Sequence, residues 1–153
     1  MLIRPIDDAD IPAAAALLRR AALDFILHES SPEDAAVFLA GQDAAALRGF
    51  IASGFVYHVA IVDGALAGFI GVRGASHVYG LYVDRRFHRR GIARRLWETA
   101  RAAALAAMPD HPGVFTVNAS NYALPWYEAL GFVRTAPMQV SLVPYNPMCL
   151  APS

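Results

Sequence analysis

The feature that most constrains the fold is a change of hydrophobic spacing at Phe55. Before this residue, apolar side chains recur mainly at helical intervals, whereas three later runs are rich in β-branched and aromatic residues, as strands are. Asp63 and Gly64 separate the first two runs, and this dipeptide supplies the positive φ angles that a tight hairpin turn needs. Consecutive strands predict antiparallel pairing, so this part of the chain is expected to build a sheet.

Helices and further strands are predicted on both sides of these runs. A short strand over residues 2–6 precedes a helix that runs to about Leu27. Ser31 and Pro32 begin a second helical region, because serine caps a helix N-terminus and proline fits the first turn. The later segments are predicted as a helix over 91–107, a strand over 114–120, a short helix over 124–130, strands within 132–136 and 138–145, and a proline-containing tail.

The order of these elements predicts an α/β fold of the mixed α+β type. Its central sheet is expected to be mostly antiparallel, with helices on both faces and one parallel crossover between residues 78 and 120. A length of 153 residues is typical of a single domain, and no repeat or long linker divides the chain. We therefore predict one domain over residues 1–153, and a hydrophobic content of 56% excludes a disordered chain.

Charge and cysteine content argue against several function classes. The 13 basic residues, all of them arginine, balance 13 acidic residues, so we predict neither nucleic acid nor a membrane as a partner. Cys149 is the only cysteine, which rules out an intrachain disulfide and a cysteine zinc site, and we predict no metal. The sequence has neither a run of ~18 apolar residues nor a signal-peptide pattern, so the expected location is cytoplasmic.

One segment carries a strong local charge. Residues 84–95 contain six arginines and one acid, Asp84, which gives a formal charge of +5 (six minus one). The segment leads from a strand end to a helix start at Gly91, a geometry that binds phosphate because the first helical amides have no intrahelical partner. A basic patch for nucleic acid is the alternative. A Walker loop is excluded because Gly-Lys-Ser/Thr is absent, and a dinucleotide fingerprint because the segment has one glycine.

Two stretches resemble the GCN5-related N-acetyltransferases, the GNAT superfamily. HVYGLYVDRRFHRRGIARRLW, residues 77–97, is similar to that family's coenzyme A motif, and TVNASNYALPWYEALGF, residues 116–132, is similar to its next strand and tyrosine-bearing helix. The family pattern Gln/Arg-x-x-Gly-x-Gly/Ala reads His-Arg-Arg-Gly-Ile-Ala here, so His88 departs from the first position. The order of elements agrees as well, and the resemblance therefore extends over nearly the whole chain.

The resemblance implies a binding site for acetyl-CoA, used as a co-substrate. Main-chain amides of the basic loop would wrap the diphosphate, and the neighbouring strand would pair with the pantetheine arm through the amides of Leu81 and Val83. One strand amide would also stabilise the charge on the thioester oxygen, while Asn121 would contact the cofactor arm or cap the next helix. The implied cofactor-binding residues are Leu81, Tyr82, Val83, Arg89, Arg90, Gly91, Ile92, Ala93, Arg94 and Asn121.

The resemblance also suggests two catalytic residues. Tyr127 would lie near the sulfur, where a phenol that is protonated at neutral pH can give a proton to the leaving thiolate. His77 is the candidate base for the amine, and it shares a face of its strand with Leu81 if no bulge intervenes. The alternative bases are Tyr79, His58, Glu29 and an ordered water chain.

The predicted function is direct transfer of an acetyl group from acetyl-CoA to a primary amine of a small molecule or peptide. A catalytically silent acyl-CoA-binding sensor or interaction module is the alternative, and the sequence permits a homodimer without requiring one. The acceptor pocket is expected beside the thioester, and its few acidic residues disfavour a polycationic acceptor. The residues expected to build it include Phe25, His28, Glu29, Tyr57 and Tyr145.

Overall fold

The computed structural model describes residues 1–152. The helices in this range are α1 (Ile11–Phe25), α2 (Pro32–Ala40), α3 (Ala44–Ala52), α4 (Ile92–Ala107) and α5 (Leu124–Leu130). The strands are β1 (Leu2–Pro5), β2 (Val56–Val62), β3 (Ala65–Arg73), β4 (His77–Val83), β5 (Phe115–Ala119), β6 (Val133–Arg134), β7 (Gln139–Val140) and β8 (Pro144–Leu150). Short 3-10 turns occupy Asp8–Asp10, Leu27–Glu29 and Arg85–Phe87.

The strands form one mixed sheet in the order β1-β2-β3-β4-β5-β8-β6, with β7 paired to β8. Every pair is antiparallel except β4 and β5, which are parallel and are joined through α4. The predicted mostly antiparallel sheet with a single parallel crossover is therefore confirmed.

Helices cover both faces of the sheet, as predicted. On one face, α4 and α5 pack Leu96, Trp97 and Leu124 into a core that includes Phe115. On the opposite face, α1 and α3 form a second core that α2 partly covers. In residues 1–152 no single helix is long and apolar enough to cross a membrane. Helices α2 and α3 together meet the length and composition needed, but they are bent by 50° relative to each other.

Local signals at two positions act as expected. Asp63 and Gly64 adopt φ angles of 50° and 77°, and they join β2 to β3 in a two-residue hairpin. The Ser31 hydroxyl accepts a hydrogen bond from the Asp34 amide at 3.1 Å and caps α2. Helix α1, by contrast, ends at Phe25, two residues before the predicted limit, and a 3-10 turn follows.

The C-terminal prediction was wrong in two respects. The strand expected over 138–145 is divided at residues 141–143 into β7 and the start of β8. The segment expected to be a proline-containing tail belongs to β8, which pairs with β5 over five positions. Pro147 fits within this strand because its carbonyl accepts from the Thr135 amide at 3.0 Å, on the side away from β5. Since the nitrogen and carbonyl of a strand residue point to the same side, the missing N–H of Pro147 costs no bond to β5.

Candidate active site

The parallel strands β4 and β5 separate after a short stretch of pairing. They are paired only at His77–Thr116 and Val78–Val117, although both strands continue further. The Asp84 amide donates to the Ala67 carbonyl of β3 at 2.8 Å. Because amides alternate along a strand, those of Leu81 and Val83 point to the other side, into the gap. The gap therefore offers main-chain donors to a ligand.

A cavity of about 640 Å³ occupies this gap, and residues of α1, β4, α4 and α5 line it. All the predicted cofactor-binding residues line it except Arg90 and Asn121, and the candidate acid Tyr127 lines it too. Their contact with coenzyme A stays a prediction. The lining residues are Ala21, Phe25, Ile26, Leu81, Tyr82, Val83, Phe87, His88, Arg89, Gly91, Ile92, Ala93, Arg94, Ser120, Tyr122, Ala123, Pro125, Trp126 and Tyr127.

The loop before α4 has the backbone geometry of an anion site. Arg89 and Gly91 both adopt left-handed conformations, with φ angles of 64° and 74°. Left-handed residues in such a turn can direct successive amides toward one point, where an anion can bind. The first amides of the 16-residue helix α4 add donors and partial positive charge at the same place. This geometry supports the sequence prediction of a phosphate site.

Five of the six arginines in residues 84–95 fall into two groups. Arg85 forms an ion pair with Asp24 at 3.5 Å, and Arg86 and Arg90 hold their guanidinium groups 5.3 Å from the centroid of the Phe87 ring. Arg89 and Arg94, in contrast, line the cavity. Part of the formal +5 charge is thus neutralised or used in packing, while two guanidinium groups stay beside the cavity.

Asp84 fixes the start of the loop. Its carboxylate accepts from the Arg86 amide at 2.9 Å, from the Arg86 guanidinium at 3.1 Å and from Arg20 of α1 at 3.2 Å. The hydrogen bonds from Arg86 outweigh burial, so the pKa of Asp84 lies below its usual value. Only 6% of this residue is exposed. The carboxylate therefore connects α1, the end of β4 and the loop before α4.

His88, which departs from the family pattern, forms part of the cavity wall. Its Nε2 lies 2.9 Å from the Val83 carbonyl oxygen, and because a carbonyl only accepts, the imidazole nitrogen must donate. The ring also lies 5.7 Å from that of Phe25, centroid to centroid. The side chain therefore connects the loop to the end of β4.

Tyr127 is held rigidly at the inner end of the cavity. Its ring makes edge contacts with Trp126 and Phe132 at centroid distances of 5.1 and 5.3 Å. Burial raises its pKa above the usual value, so the phenol keeps its proton at neutral pH. Among residues 1–152 no hydrogen bond engages its hydroxyl, although only 5% of the residue is exposed. A buried phenol with an uncommitted proton is suited to act as an acid.

Asn121 is occupied by contacts within the protein. Its Nδ2 donates to the Glu29 carboxylate at 2.9 Å, and its Oδ1 accepts from Asn146 at 2.9 Å. The expectation that Asn121 caps α5 is wrong, because the N-cap residue of this helix is Ala123 and no side chain among the described residues caps it. Asn121 thus connects the segment after α1 to β8, and its contact with the cofactor arm stays a prediction.

A second cavity, of about 200 Å³, lies on the α1 side of the sheet. Tyr82 lines both cavities, so the two adjoin at β4. Of the residues expected to build the acceptor pocket, Tyr57 lines this second cavity and Phe25 lines the larger one, and their contact with an acceptor stays a prediction. The lining residues are Leu18, Phe38, Gln42, Tyr57, Phe69, Arg73, His77, Val78, Tyr79, Gly80, Tyr82 and Asn118. His28, Glu29 and Tyr145 line neither cavity.

A β-bulge determines which side chains face this smaller cavity. Gly71 pairs with Gly80 and Val72 with Val78, so Tyr79 is an extra residue in β4. The expectation that His77 shares a face with Leu81 is therefore wrong. Leu81 packs against the core beneath α4, while His77 faces the smaller cavity on the opposite side.

Two glycines allow aromatic rings to approach the strands. A Cβ on Gly71 would lie 2.4 Å from the Tyr57 ring, and one on Gly80 would lie 3.1 Å from the Tyr82 ring. Both rings therefore lie close to the backbone of β3 and β4, where they form the inner wall of the smaller cavity. Burial raises the pKa of Tyr82 to about 12, which keeps this shared wall uncharged.

His77 is neutral at physiological pH. Burial, together with the charge of Arg73, lowers the pKa of the imidazole below 6.5. Its Nδ1 lies 2.8 Å from the Thr116 hydroxyl. Of the alternative bases, Tyr79 also lines the smaller cavity. Glu29 is engaged by Asn121, and His58 pairs with Pro5 and Ile70 in the middle of the sheet.

Sequence reasoning did not find several residues of these cavities. Arg73 and Gln42 line the smaller one, and Tyr122, which lines the larger one, stacks on Phe25 at 4.5 Å. Nothing in the spacing of Gln42 or Tyr122 distinguishes them from surface residues. Arg73 carried a weak signal, since it is the only arginine between Arg48 and Arg85.

Comparison with protein families gives a decisive match. A model described as an acetyltransferase (GNAT) domain matches residues 26–150. The chain belongs to the GNAT family of acetyltransferases. The resemblance noted for residues 77–97 and 116–132 is thereby confirmed, and both stretches lie inside the matched region. No curated protein matches the sequence.

Solved GNAT structures share the fold. PaiA N-acetyltransferase of Thermoplasma acidophilum, in complex with coenzyme A, is 15% identical, with a TM-score of 0.82 over 98% of each chain. A GCN5-related N-acetyltransferase of Rhodopseudomonas palustris is 22% identical, with a TM-score of 0.81 over 98% of this chain and 94% of that one. YncA of Salmonella typhimurium, solved with acetyl-CoA, is 22% identical, with a TM-score of 0.69 over 100% and 94%.

Proposed function

We propose that this GNAT protein is an acetyl-CoA-dependent N-acetyltransferase that acts on a primary amine by direct transfer. The observation that carries the proposal is the pair of cavities that adjoin at Tyr82: the larger occupies the gap between β4 and β5, and the smaller lies on the α1 side of the sheet. The larger would hold acetyl-CoA and the smaller the acceptor. A thioester and an amine bound in this way could meet at β4 without a covalent enzyme intermediate.

The residues of the larger cavity suit coenzyme A chemically. The amides of Arg89–Arg94 would bind the diphosphate, with the guanidinium groups of Arg89 and Arg94 available to the phosphates. Leu81 and Val83 would hydrogen-bond the amide groups of pantetheine, as an added strand does. Bound acetyl-CoA supplies the activated acetyl thioester.

Tyr127 is assigned as the general acid. Its buried hydroxyl has a proton that no described residue engages, and its raised pKa keeps that proton in place at neutral pH. The phenol would protonate the departing thiolate. An amide of β4 in the gap would donate to the thioester oxygen as negative charge develops there.

His77 is proposed as the base that accepts the proton of the amine. It lines the acceptor cavity, and its lowered pKa leaves the imidazole unprotonated at neutral pH. The role requires the tautomer in which Nδ1–H donates to the Thr116 hydroxyl, because the lone pair of Nε2 is then free to take a proton.

A silent acyl-CoA-binding module is the second candidate function. It would need the larger cavity alone, whereas the second cavity and the uncommitted Tyr127 hydroxyl favour catalysis. The expectations of a cytoplasmic location, of no metal, and of neither nucleic acid nor membrane as a partner stay predictions, as does the open question of a homodimer.

The test is release of free thiol from acetyl-CoA in the presence of a panel of amino acids, dipeptides and alkylamines. We expect at least one amine to accelerate thiol release above the rate of hydrolysis, with mass spectrometry showing an added acetyl group on its nitrogen. Saturable binding of acetyl-CoA without transfer to any member of the panel would favour the sensor instead.

A further inference from the structure

The smaller cavity has a distinct charge pattern at one end. Arg73 is the only charged residue of its described lining, to which no aspartate or glutamate contributes. Within residues 1–152 no hydrogen bond or ion pair engages the Arg73 guanidinium. Its Cζ lies over the Tyr79 ring, 6.0 Å from the ring centroid. An unpaired arginine beside a cavity attracts an anionic group.

Tyr79 adds a second donor beside Arg73. Gln42 donates through Nε2 to the Tyr79 hydroxyl oxygen at 3.1 Å. Since that oxygen accepts from Gln42, its own hydrogen stays available to a ligand. A guanidinium and a phenol that both donate at one end of a cavity match the acceptor-only chemistry of a carboxylate.

A tight turn fixes this corner. Gly74 and Ala75 both have φ angles of 60°, and the Ser76 amide donates to the Arg73 carbonyl at 3.3 Å. Two consecutive positive φ angles are typical of the hairpin turn that best fits twisted strands. Tyr79, two residues along β4 from His77, lines the same cavity as His77. The donors thus lie on ordered backbone.

The inner wall of the cavity is formed by buried aromatic and aliphatic side chains, while Gln42 and Asn118 add uncharged polar groups to the lining. Leu18, Tyr57 and Phe69 are 2%, 4% and 1% exposed, and Phe38 of α2 closes the outer side. A polycation would find no carboxylate here to offset its lost hydration. An apolar side chain, in contrast, gains by leaving water.

We propose, on the basis of the function proposed above, that the acceptor is an amine that also carries a carboxylate: an amino acid or short peptide with an apolar side chain. Arg73 and the Tyr79 hydroxyl bind the carboxylate, and the amine lies at the Tyr82 end, where the two cavities adjoin. Because His77 pairs with Arg73 at the opposite end, the amine proton reaches His77 through ordered water. Apolar residues between these ends hold the side chain.

The test is equilibrium binding in the presence of saturating coenzyme A, which prevents turnover. Isothermal titration at pH 7 compares L-phenylalanine with L-phenylalaninamide, and glycyl-L-phenylalanine with its amide. In at least one pair we expect the free acid to bind about tenfold more tightly, the effect of one hydrogen-bonded charge pair. Arg73→Gln should reduce this preference to less than about twofold. Arg19→Gln should leave it intact, because Arg19 is exposed and lines neither cavity.

Three results would overturn the proposal: neither acid preferred over its amide, no detectable binding of any of the four compounds, or a preference that survives in Arg73→Gln. Each is distinct from failure of the proposed function, which is measured as thiol release. A protein that acetylates amines without regard to their carboxylate would refute the inference and leave the acetyltransferase standing. Circular dichroism of both variants establishes that they are folded.

Discussion

The two cavities beside β4 are built in different ways. The larger is bordered by the loop at Arg89–Arg94, consecutive strand residues and the start of α5, so most of its wall comes from two short stretches of sequence. The smaller takes side chains from α1, α2, the following turn and four strands. Its polar groups, among them Arg73 and His77, are side chains rather than main-chain amides. The wall of the larger cavity is therefore encoded mainly by residues that are neighbours in the sequence. The wall of the smaller cavity forms only when the fold brings distant segments together.

The largest expected effect is on the affinity for acetyl-CoA, which we propose binds in the larger cavity. Gly91→Glu should weaken binding of acetyl-CoA by about 100-fold or more. A side chain at a φ of 74° is strained, and a carboxylate there would repel phosphate. Isothermal titration measures the loss.

Gly64→Glu is the matched control for Gly91→Glu. Gly64 has a φ of 77°, has open space where a Cβ would lie, and lines neither cavity. It should suffer the same backbone strain while binding acetyl-CoA as the unchanged protein does. If Gly91→Glu and the unchanged protein bind acetyl-CoA with equal affinity, the loop before α4 does not bind the phosphates of the cofactor.

The second effect is on chemistry in the same cavity. Tyr127→Phe should lower kcat by ~100-fold, the usual cost of losing a general acid, while the affinity for acetyl-CoA changes little because the ring contacts remain. Steady-state kinetics with the best acceptor measure both quantities. Tyr145→Phe, outside both cavities, should keep the full rate. A Tyr127→Phe variant with unchanged kcat would mean that the thiolate takes its proton elsewhere.

The smallest effect is on the acceptor side. His77→Gln should lower kcat/KM for the amine by about 10-fold at pH 7. This loss is smaller than is usual for a general base, because water can partly replace the imidazole. Because the pKa of His77 lies below 6.5, the unchanged protein should lose rate as the pH falls through that lowered value. This acidic limb should flatten in the variant.

His28→Gln is the control for the pH profile, because His28 is exposed and lines neither cavity. Its profile should match that of the unchanged protein. An acidic limb that persists in His77→Gln would assign the base to another group, with Tyr79 the next candidate in the same cavity.

The sequence predicts best what is encoded locally. Asp63 and Gly64 adopt positive φ angles, and Gly91 precedes a helix after a basic run, so the hairpin and the turn into α4 follow from neighbouring residues alone. Most of β8 was missed because prolines such as Pro144 and Pro147 usually end a strand. The sequence does not show that the nitrogen of Pro147 faces β6, where it loses no bond to β5.

What the sequence could not predict depends on tertiary contacts. The bulge at Tyr79 comes from pairing with β3, and it moves His77 to the other face of the sheet. Asn121 resembles a cofactor ligand by position, but folding brings Glu29 and Asn146 to its side chain. The sequence could not identify Arg73 as a candidate anion-binding residue, because that depends on its surroundings in the fold: among the described residues, no acid lines the smaller cavity.

The central claim is that acetyl-CoA binds in the gap between β4 and β5 with its diphosphate at the loop before α4. Titration of isotope-labelled protein with acetyl-CoA, followed by amide NMR, tests it most directly. We predict saturable shifts concentrated at Leu81, Val83 and residues 89–94, with little change at the hairpin around Gly64. Saturable binding that leaves these amides unmoved, or no binding at all, would contradict the account.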